Sequence, residues 1–216
     1  MLIAKGIYKN YGELPILKGI DLSIDKQEVV SIVGASGAGK TTLLQILGTL
    51  DKPDKGEVII GGENVVAMKG NQLARFRNER LGFIFQFHQL LPEFSAIENV
   101  IIPAMLGNKS KSTAIAKGKE LLDFLGLGHR LDHKPSELSG GEQQRVAVAR
   151  SLINDPDIIF AYEPSGNLDS VNSRELHELF FKLKEEMQQT FVIVTHNREL
   201  AEMSDRKLEM QDGLII

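Results

Sequence analysis

Val29-Val30-Ser31-Ile32-Val33-Gly34-Ala35-Ser36-Gly37-Ala38-Gly39-Lys40-Thr41-Thr42 decides the fold. Its first five residues are a compact apolar run ending at glycine, the pattern of a parallel strand buried on both faces. Gly34 to Thr41 then matches the phosphate-binding pattern G-x-x-x-x-G-K-[ST]. Leu43, Leu44 and Leu47 continue on one face of a predicted helix that ends near Gly48, before Pro53. Strand, glycine loop and helix in that order are what a phosphate cradle needs. The glycines let backbone N–H groups approach phosphate oxygens, and the helix N-terminus adds favourable partial charge. Lys40 suits the β- and γ-phosphates, and the Thr41 hydroxyl suits Mg²⁺. Thr42 completes the candidate nucleotide-binding set Gly34, Ala35, Ser36, Gly37, Ala38, Gly39, Lys40, Thr41 and Thr42.

Outward from this loop, strands and helices alternate. Leu2 to Tyr8, Ile20 to Ile24, Glu57 to Ile60 and Gly82 to Phe85 read as strands, as do Asp157 to Ala161 and Phe191 to Thr195. Leu176, Leu179, Phe180, Leu183 and Met187 form an amphipathic helical stripe. From about Phe87 to Leu152 the pattern turns helical, as in an inserted lobe. Phe87, Leu90, Leu91 and Phe94 fall at i, i+3, i+4 and i+7. If helical, they form an apolar face, either lobe core or part of a docking groove. The expected fold is α/β, a mostly parallel sheet with right-handed crossovers. Residues 1–216 form one domain, with 1–86 and 153–216 as its nucleotide-binding core.

Bulk properties narrow the function classes. The 216 residues carry a net charge of −4, so nothing basic suggests a nucleic-acid partner. There is no cysteine, hence no disulfide and no thiolate metal site. No apolar run approaches the ~20 residues of a membrane helix, and the N-terminus lacks a signal-peptide core. Membrane contact is therefore expected only through partners.

A second motif, Leu138-Ser139-Gly140-Gly141-Glu142-Gln143-Gln144-Arg145, lies downstream of the phosphate loop. On its own, Ser139 is a helix N-cap and the glycines give close backbone access. With both motifs in this order, the chain resembles the ATP-binding cassette (ABC) ATPase family over nearly its whole length. That resemblance implies ATP and Mg²⁺ as ligands, and a homodimer on ATP binding. Ser139, Gly140 and Gly141 of one subunit then clamp the γ-phosphate held by the other. Family members more often have Gln where Glu142 stands. The resemblance also assigns Tyr11 as the aromatic that stacks on adenine. Gln86 becomes the sensor of Mg²⁺ and γ-phosphate, and the segment after it meets the membrane subunit. Glu163 becomes the general base and His196 the switch that holds the attacking water. Asp169 becomes an interface contact, although alone it equally reads as the cap of the next helix. Metal contacts fall to Thr41 and Gln86. His129, His133 and His177 have no such context and are expected to titrate at the surface.

Phe85 to Val100, with Phe-His…Leu-Leu-Pro-Glu-Phe inside it, resembles the lipoprotein-releasing branch. Arg80 to Gln86 is shared with the macrolide-exporter and cell-division branches. The resemblance implies two integral membrane permease subunits as partners and a place on the cytoplasmic face of the bacterial inner membrane. Energised release of lipoproteins would follow.

One residue departs from the family pattern. Tyr162 stands where an aspartate orders the Mg²⁺ shell. A phenol with a pKa near ~10 is neutral at pH 7 and a poor partner for a hard cation. ATP binding is expected to survive this more surely than hydrolysis. Three readings stay open: a compensated metal site, a slow or inactive variant, and an isolated change in an active enzyme. A slow variant would make the chain an ATP-dependent clamp or scaffold. A DNA-repair ABC protein would need long coiled-coil insertions, for which there is no room. A small-molecule P-loop kinase would not need the second motif.

Overall fold

The computed structural model describes all 216 residues. Two sheets organise the chain. β1 (Leu2–Tyr11), β2 (Leu14–Ile24), β4 (Lys55–Ile60) and β5 (Glu63–Asn64) form an antiparallel sheet in the order β2-β1-β4-β5. The second sheet has the order β10-β9-β3-β8-β7-β6. Its members are β3 (Val29–Gly34), β6 (Leu81–Phe85), β7 (Ile158–Tyr162), β8 (Phe191–Val194), β9 (Arg206–Gln211) and β10 (Leu214–Ile215). The pairs β9·β3, β3·β8, β8·β7 and β7·β6 are parallel; only β10 runs antiparallel.

The apolar runs of β3, β7 and β8 feed two cores by alternation. Ile159, Ala161, Phe191 and Ile193 face one core, which they share with helices. Ile158, Phe160, Val192 and Val194 face the other, between the sheets around α1 (Lys40–Leu47). A strand with no solvent face has no reason to alternate in polarity, which is why these segments read as continuous runs. Because the strands are parallel, their C-terminal ends share one edge. Gly34, Gln86, Tyr162 and Thr195 lie there in or just past β3, β6, β7 and β8. That edge is where ligands bind in open α/β sheets.

Three further helices build a lobe on the other side: α3 (Ala96–Leu106), α4 (Lys111–Phe124) and α5 (Gly140–Leu152). Short 3-10 turns at Gly128–Arg130 and Pro135–Glu137 lie between α4 and α5. The amphipathic stripe forms α6 (Ser170–Met187), with Leu176, Phe180 and Leu183 buried and Met187 at its exposed end. The last helix is α7 (Arg198–Met203).

Several elements differ from the sequence expectation. β1 and β2 extend well past Tyr8 and before Ile20 as one long hairpin. α2 (Gly70–Arg80) is a helix that the apolar pattern does not predict. Only its Phe76 is buried, so it carries no apolar stripe to read. Phe87 to Phe94 is not helical. His88 and Gln89 take φ of 25° and 50°, and Phe87 is 72% exposed. The helical spacing of its apolar residues is coincidental. Instead, buried Asn99 shapes the segment: its Oδ1 accepts from Leu91 N at 2.7 Å, and its Nδ2 donates to Leu91 O and Phe94 O.

Candidate nucleotide site

The phosphate loop closes around its own lysine. Lys40 Nζ donates to Gly34 O at 2.9 Å and Ala35 O at 2.8 Å. Burial pushes this ammonium below the usual lysine range, opposed by the nearby Glu163 charge. Gly39, at φ 101°, precedes α1 with no side-chain cap, which leaves the first-turn N–H groups free for an anion. Gly34 is required by packing: at φ 146°, an added Cβ would meet Met210 O at 2.1 Å.

A cavity of about 270 Å³ opens above this loop. Ser36, Gly37, Gly39, Lys40, Thr41, Thr42, Glu163 and His196 line it, and so does Tyr162. Ala38 is buried beneath the loop. Glu163 follows β7 at φ 43°, an unusual backbone for a glutamate. The bend is held by Glu163 N donating to Val194 O at 2.8 Å. One carboxylate oxygen, Oε2, accepts from His196 N at 3.2 Å, with Thr195 Oγ1 at 3.4 Å. The other, Oε1, is buried with no hydrogen-bond partner and lies 3.5 Å from His196 Nε2. A carboxylate oxygen without a hydrogen-bond partner beside the phosphate cavity is a candidate proton acceptor.

Gln86 stands apart from this cavity. Its Nε2 donates to Asn167 Oδ1 at 3.0 Å, and Asn167 Nδ2 donates back to Gln86 O at 3.2 Å. The Tyr11 ring is half exposed, with its hydroxyl bonded to Asp51.

Ser139 caps α5 within a full capping box: its Oγ accepts from Glu142 N, and Glu142 Oε2 accepts from Ser139 N at 2.8 Å. That backbone bond, with help from Arg130, holds the Glu142 carboxyl below its usual range. Ser139 and Gly140 are exposed and lie outside the phosphate cavity of their own chain. Gly141 is buried; an added Cβ would meet Asn172 Oδ1 at 2.2 Å, so α5 and α6 start in contact. Asp169 caps α6, accepting from Val171 N and Asn172 N, and these backbone bonds hold its carboxyl below the usual range.

A family model for ABC transporters matches residues 17–166. The chain belongs to the ABC transporter family. The lipoprotein-releasing system ATP-binding protein LolD of Cytophaga hutchinsonii is 62% identical, covering 100% of this chain and 99% of that one. LolD of Bacteroides fragilis is 60% identical, with 100% of each chain covered. Among solved structures, the ATP-binding cassette MJ0796, in a dimeric post-hydrolysis state bound to ADP and Pi, is 38% identical at a TM-score of 0.89. It covers 100% of this chain and 96% of that one. The cassette is thus an ATP-binding subunit and, by class, an ATP hydrolase.

Three polar side chains of the cassette have partners that the sequence does not reveal. His177 is not a surface titrant. It is fully buried, bonded through Nε2 to Ser165 Oγ at 2.9 Å and Ser173 Oγ at 3.3 Å. Burial pushes its pKa down. Gln144, inside the second motif, is also fully buried. Its Nε2 donates to Pro164 O at 2.7 Å, beside Glu163, and its Oε1 bonds His88 Nδ1. Arg150, one helix face further on, donates to His88 O and Gln89 O, both at 2.7 Å. A helical stripe displays apolar residues; these polar ones became legible only once their partners were in place.

Proposed function

We propose that this cassette binds and hydrolyses ATP to energise the release of lipoproteins from a bacterial inner membrane. The observation that carries the chemistry is the unpaired Glu163 Oε1 at the cavity wall beside His196. The cargo rests on the likeness to LolD proteins at 60–62% identity over the full chain. On the same likeness, the cassette would work at the cytoplasmic face, held by two permease subunits; no helix of its own is long and apolar enough to cross a membrane.

Lys40 and the loop amides bind the phosphates, and Tyr11 meets the base. Two copies then close head to tail, a reading supported by the dimeric cassette MJ0796. In that dimer Ser139 to Gly141 would cap the partner's ATP, with Asp169 at the interface. Ser139 and Gly140 are exposed and do not line their own cavity, as this division of labour requires. Glu163 accepts a proton from the attacking water while His196 holds that water in line. Stabilisation of charge by Lys40 and the loop amides supplies most of the rate gain.

Mg²⁺ fits the donor set only through neutral oxygens. Thr41 is exposed, and the side-chain oxygen of Gln86, Oε1, has no hydrogen-bond partner. No group of three or more acidic, histidine or cysteine side chains gathers for a metal. Thr41 and Gln86 would hold the ion with the phosphates, and its chemistry would be neutralising charge on them. Tyr162, in the cavity wall, offers no carboxylate. The reading therefore includes slow turnover, and at its limit an ATP-dependent clamp.

The segment after Gln86 carries motion to the permeases. Phe87, Leu91 and Phe94 are exposed apolar residues there, and Arg150 and Gln144 fasten the segment to α5. The test is Mg²⁺-dependent phosphate release, with Glu163→Gln as the blank, alongside ATP-dependent dimerisation. A chain that neither dimerises with ATP nor exceeds the blank would sink the proposal.

A further inference from the structure

Lys9 is an odd residue to bury, and its surroundings say what it is for. It lies in β1, and its side chain is only 11% exposed. Its Nζ donates to Asp51 Oδ1 at 3.0 Å and to Lys52 O at 2.7 Å. The same ammonium sits 5.3 Å over the centroid of the Tyr11 ring. The other Asp51 oxygen, Oδ2, accepts from the Tyr11 hydroxyl at 2.9 Å. Each oxygen of Asp51 thus has its own task, one on the lysine and one on the phenol.

The rest of the junction is equally tied. Asp54 N donates to Tyr8 O at 2.8 Å, and Asp54 Oδ2 accepts from Asn10 N at 2.6 Å. The end of β1 is therefore strapped to residues 51–54, which lie a few residues past the helix of the phosphate loop. The phenol responds to this setting. The Asp51 hydrogen bond, then burial, hold its pKa above the usual range, with Thr42 and Lys9 pulling the other way. Burial pushes Asp51 up, but bonds from Lys9, the Lys52 amide and Tyr11 outweigh it and hold the carboxyl low.

A restrained aromatic is normally also a covered one, because burial offsets the cost of ordering it. Tyr11 is restrained through its hydroxyl and closed on one face by a cation, yet it stays 50% exposed. A flat π surface held still with a face left open is a stacking platform.

We propose that Lys9 and Asp51 are positioning residues for the nucleotide base. They fix the orientation of the Tyr11 ring relative to the phosphate loop, and so set how strongly the site prefers a purine nucleotide over the same phosphates without a base. This rests on the ATP-binding reading above and deepens it. The role belongs to the base subsite alone, so phosphate affinity should not depend on it.

The test is a pair of titrations on the full chain, one with ATP and one with inorganic tripolyphosphate. Asp51→Ala should weaken ATP binding by about tenfold, the scale of one charge-assisted hydrogen bond. Tripolyphosphate binding should change less than about twofold, since no phosphate contact is lost. Asp51→Asn keeps an acceptor for the phenol and should fall between. Tyr11→Phe should match Asp51→Ala, and the double variant should add no further loss. Ultraviolet titration of the phenol gives a readout free of nucleotide: in Asp51→Ala, Tyr11 should ionise at lower pH than in the parent. Equal weakening of both ligands, no weakening of either, or an unmoved phenol titration would each overturn the inference while ATP binding stands. A parent chain that bound neither ligand would remove the ATP reading and this inference together.

Discussion

Replacing Tyr162 with aspartate should make the protein less stable and more active at once. The ring is half-buried against the core between the sheets and also lines the phosphate cavity. Tyrosine presents roughly 150–250 Å² of surface, of which Tyr162→Asp would forfeit about 100 Å² of apolar burial. At ~25 cal/mol per Å² that is about 2.5 kcal/mol. For a chain of this size the loss lowers Tm by about 5–10 °C. The new carboxylate also sits beside Glu163, which adds to the cost when no cation is present. With Mg·ATP the sign reverses. A carboxylate ordering the hydrated ion is worth about 3 kcal/mol in the transition state, roughly a hundredfold in turnover. ATP affinity should shift far less, since Lys40 and the loop amides are untouched. The assay pairs thermal melts without nucleotide with steady-state phosphate release, with Glu163→Gln as blank. If the parent and Tyr162→Asp turn over within about threefold of each other, both above the blank, the neutral metal shell is sufficient and the reasoning fails.

His177 should give the fold an acid limb. Burial holds its folded pKa below the ordinary histidine value of about 6.5, so the unfolded chain takes the proton first. Its neutral form leaves stability intact above that value. Stability then falls as pH drops through 6.5, with a limiting slope of about 1.4 kcal/mol per pH unit. Denaturation midpoints at pH 8 and pH 5.5 should separate more in the parent than in His177→Phe; parallel shifts would count against it. Ser139→Ala should remove about 1 kcal/mol of helix stability and abolish ATP-driven dimerisation, with ATP affinity of the monomer unchanged. Retention of the dimer by sedimentation would rule out the clamp role of Ser139. Gln144→Leu leaves Pro164 O and His88 without their partner, a cost of about 1–3 kcal/mol. Amide exchange should quicken at residues 87–91 and 165–168, and unchanged exchange would show that Gln144 fastens neither.

The cradle was readable because local chemistry demands its residue types in consecutive positions. Gly34 to Thr41 and the strands β3, β7 and β8 are of this kind, and so is the capping box at Ser139. What escaped was set by distant partners. α2 has one buried side chain, so no periodicity announced it. Phe87 to Phe94 carries a helical spacing that two left-handed residues, His88 and Gln89, break. His177 and Gln144 look solvated in one dimension and are fully buried in three. Asp169 read equally well as a cap or an interface contact, and within one chain it is a cap.

Gln86 and Asn167 clasp each other by two neutral amide bonds, both in reach of solvent. Such a clasp has nearly the same energy shut as hydrated, because water replaces each bond almost in kind. An ion pair in a dry setting would instead hold fast, since parting it strands a charge. The segment bearing Phe87 and the loop leading to Asp169 are therefore joined by a latch that a modest pull releases and that re-forms unaided. A motor that must cycle needs its moving parts to disengage at little cost, and this junction is built entirely from uncharged, water-replaceable contacts.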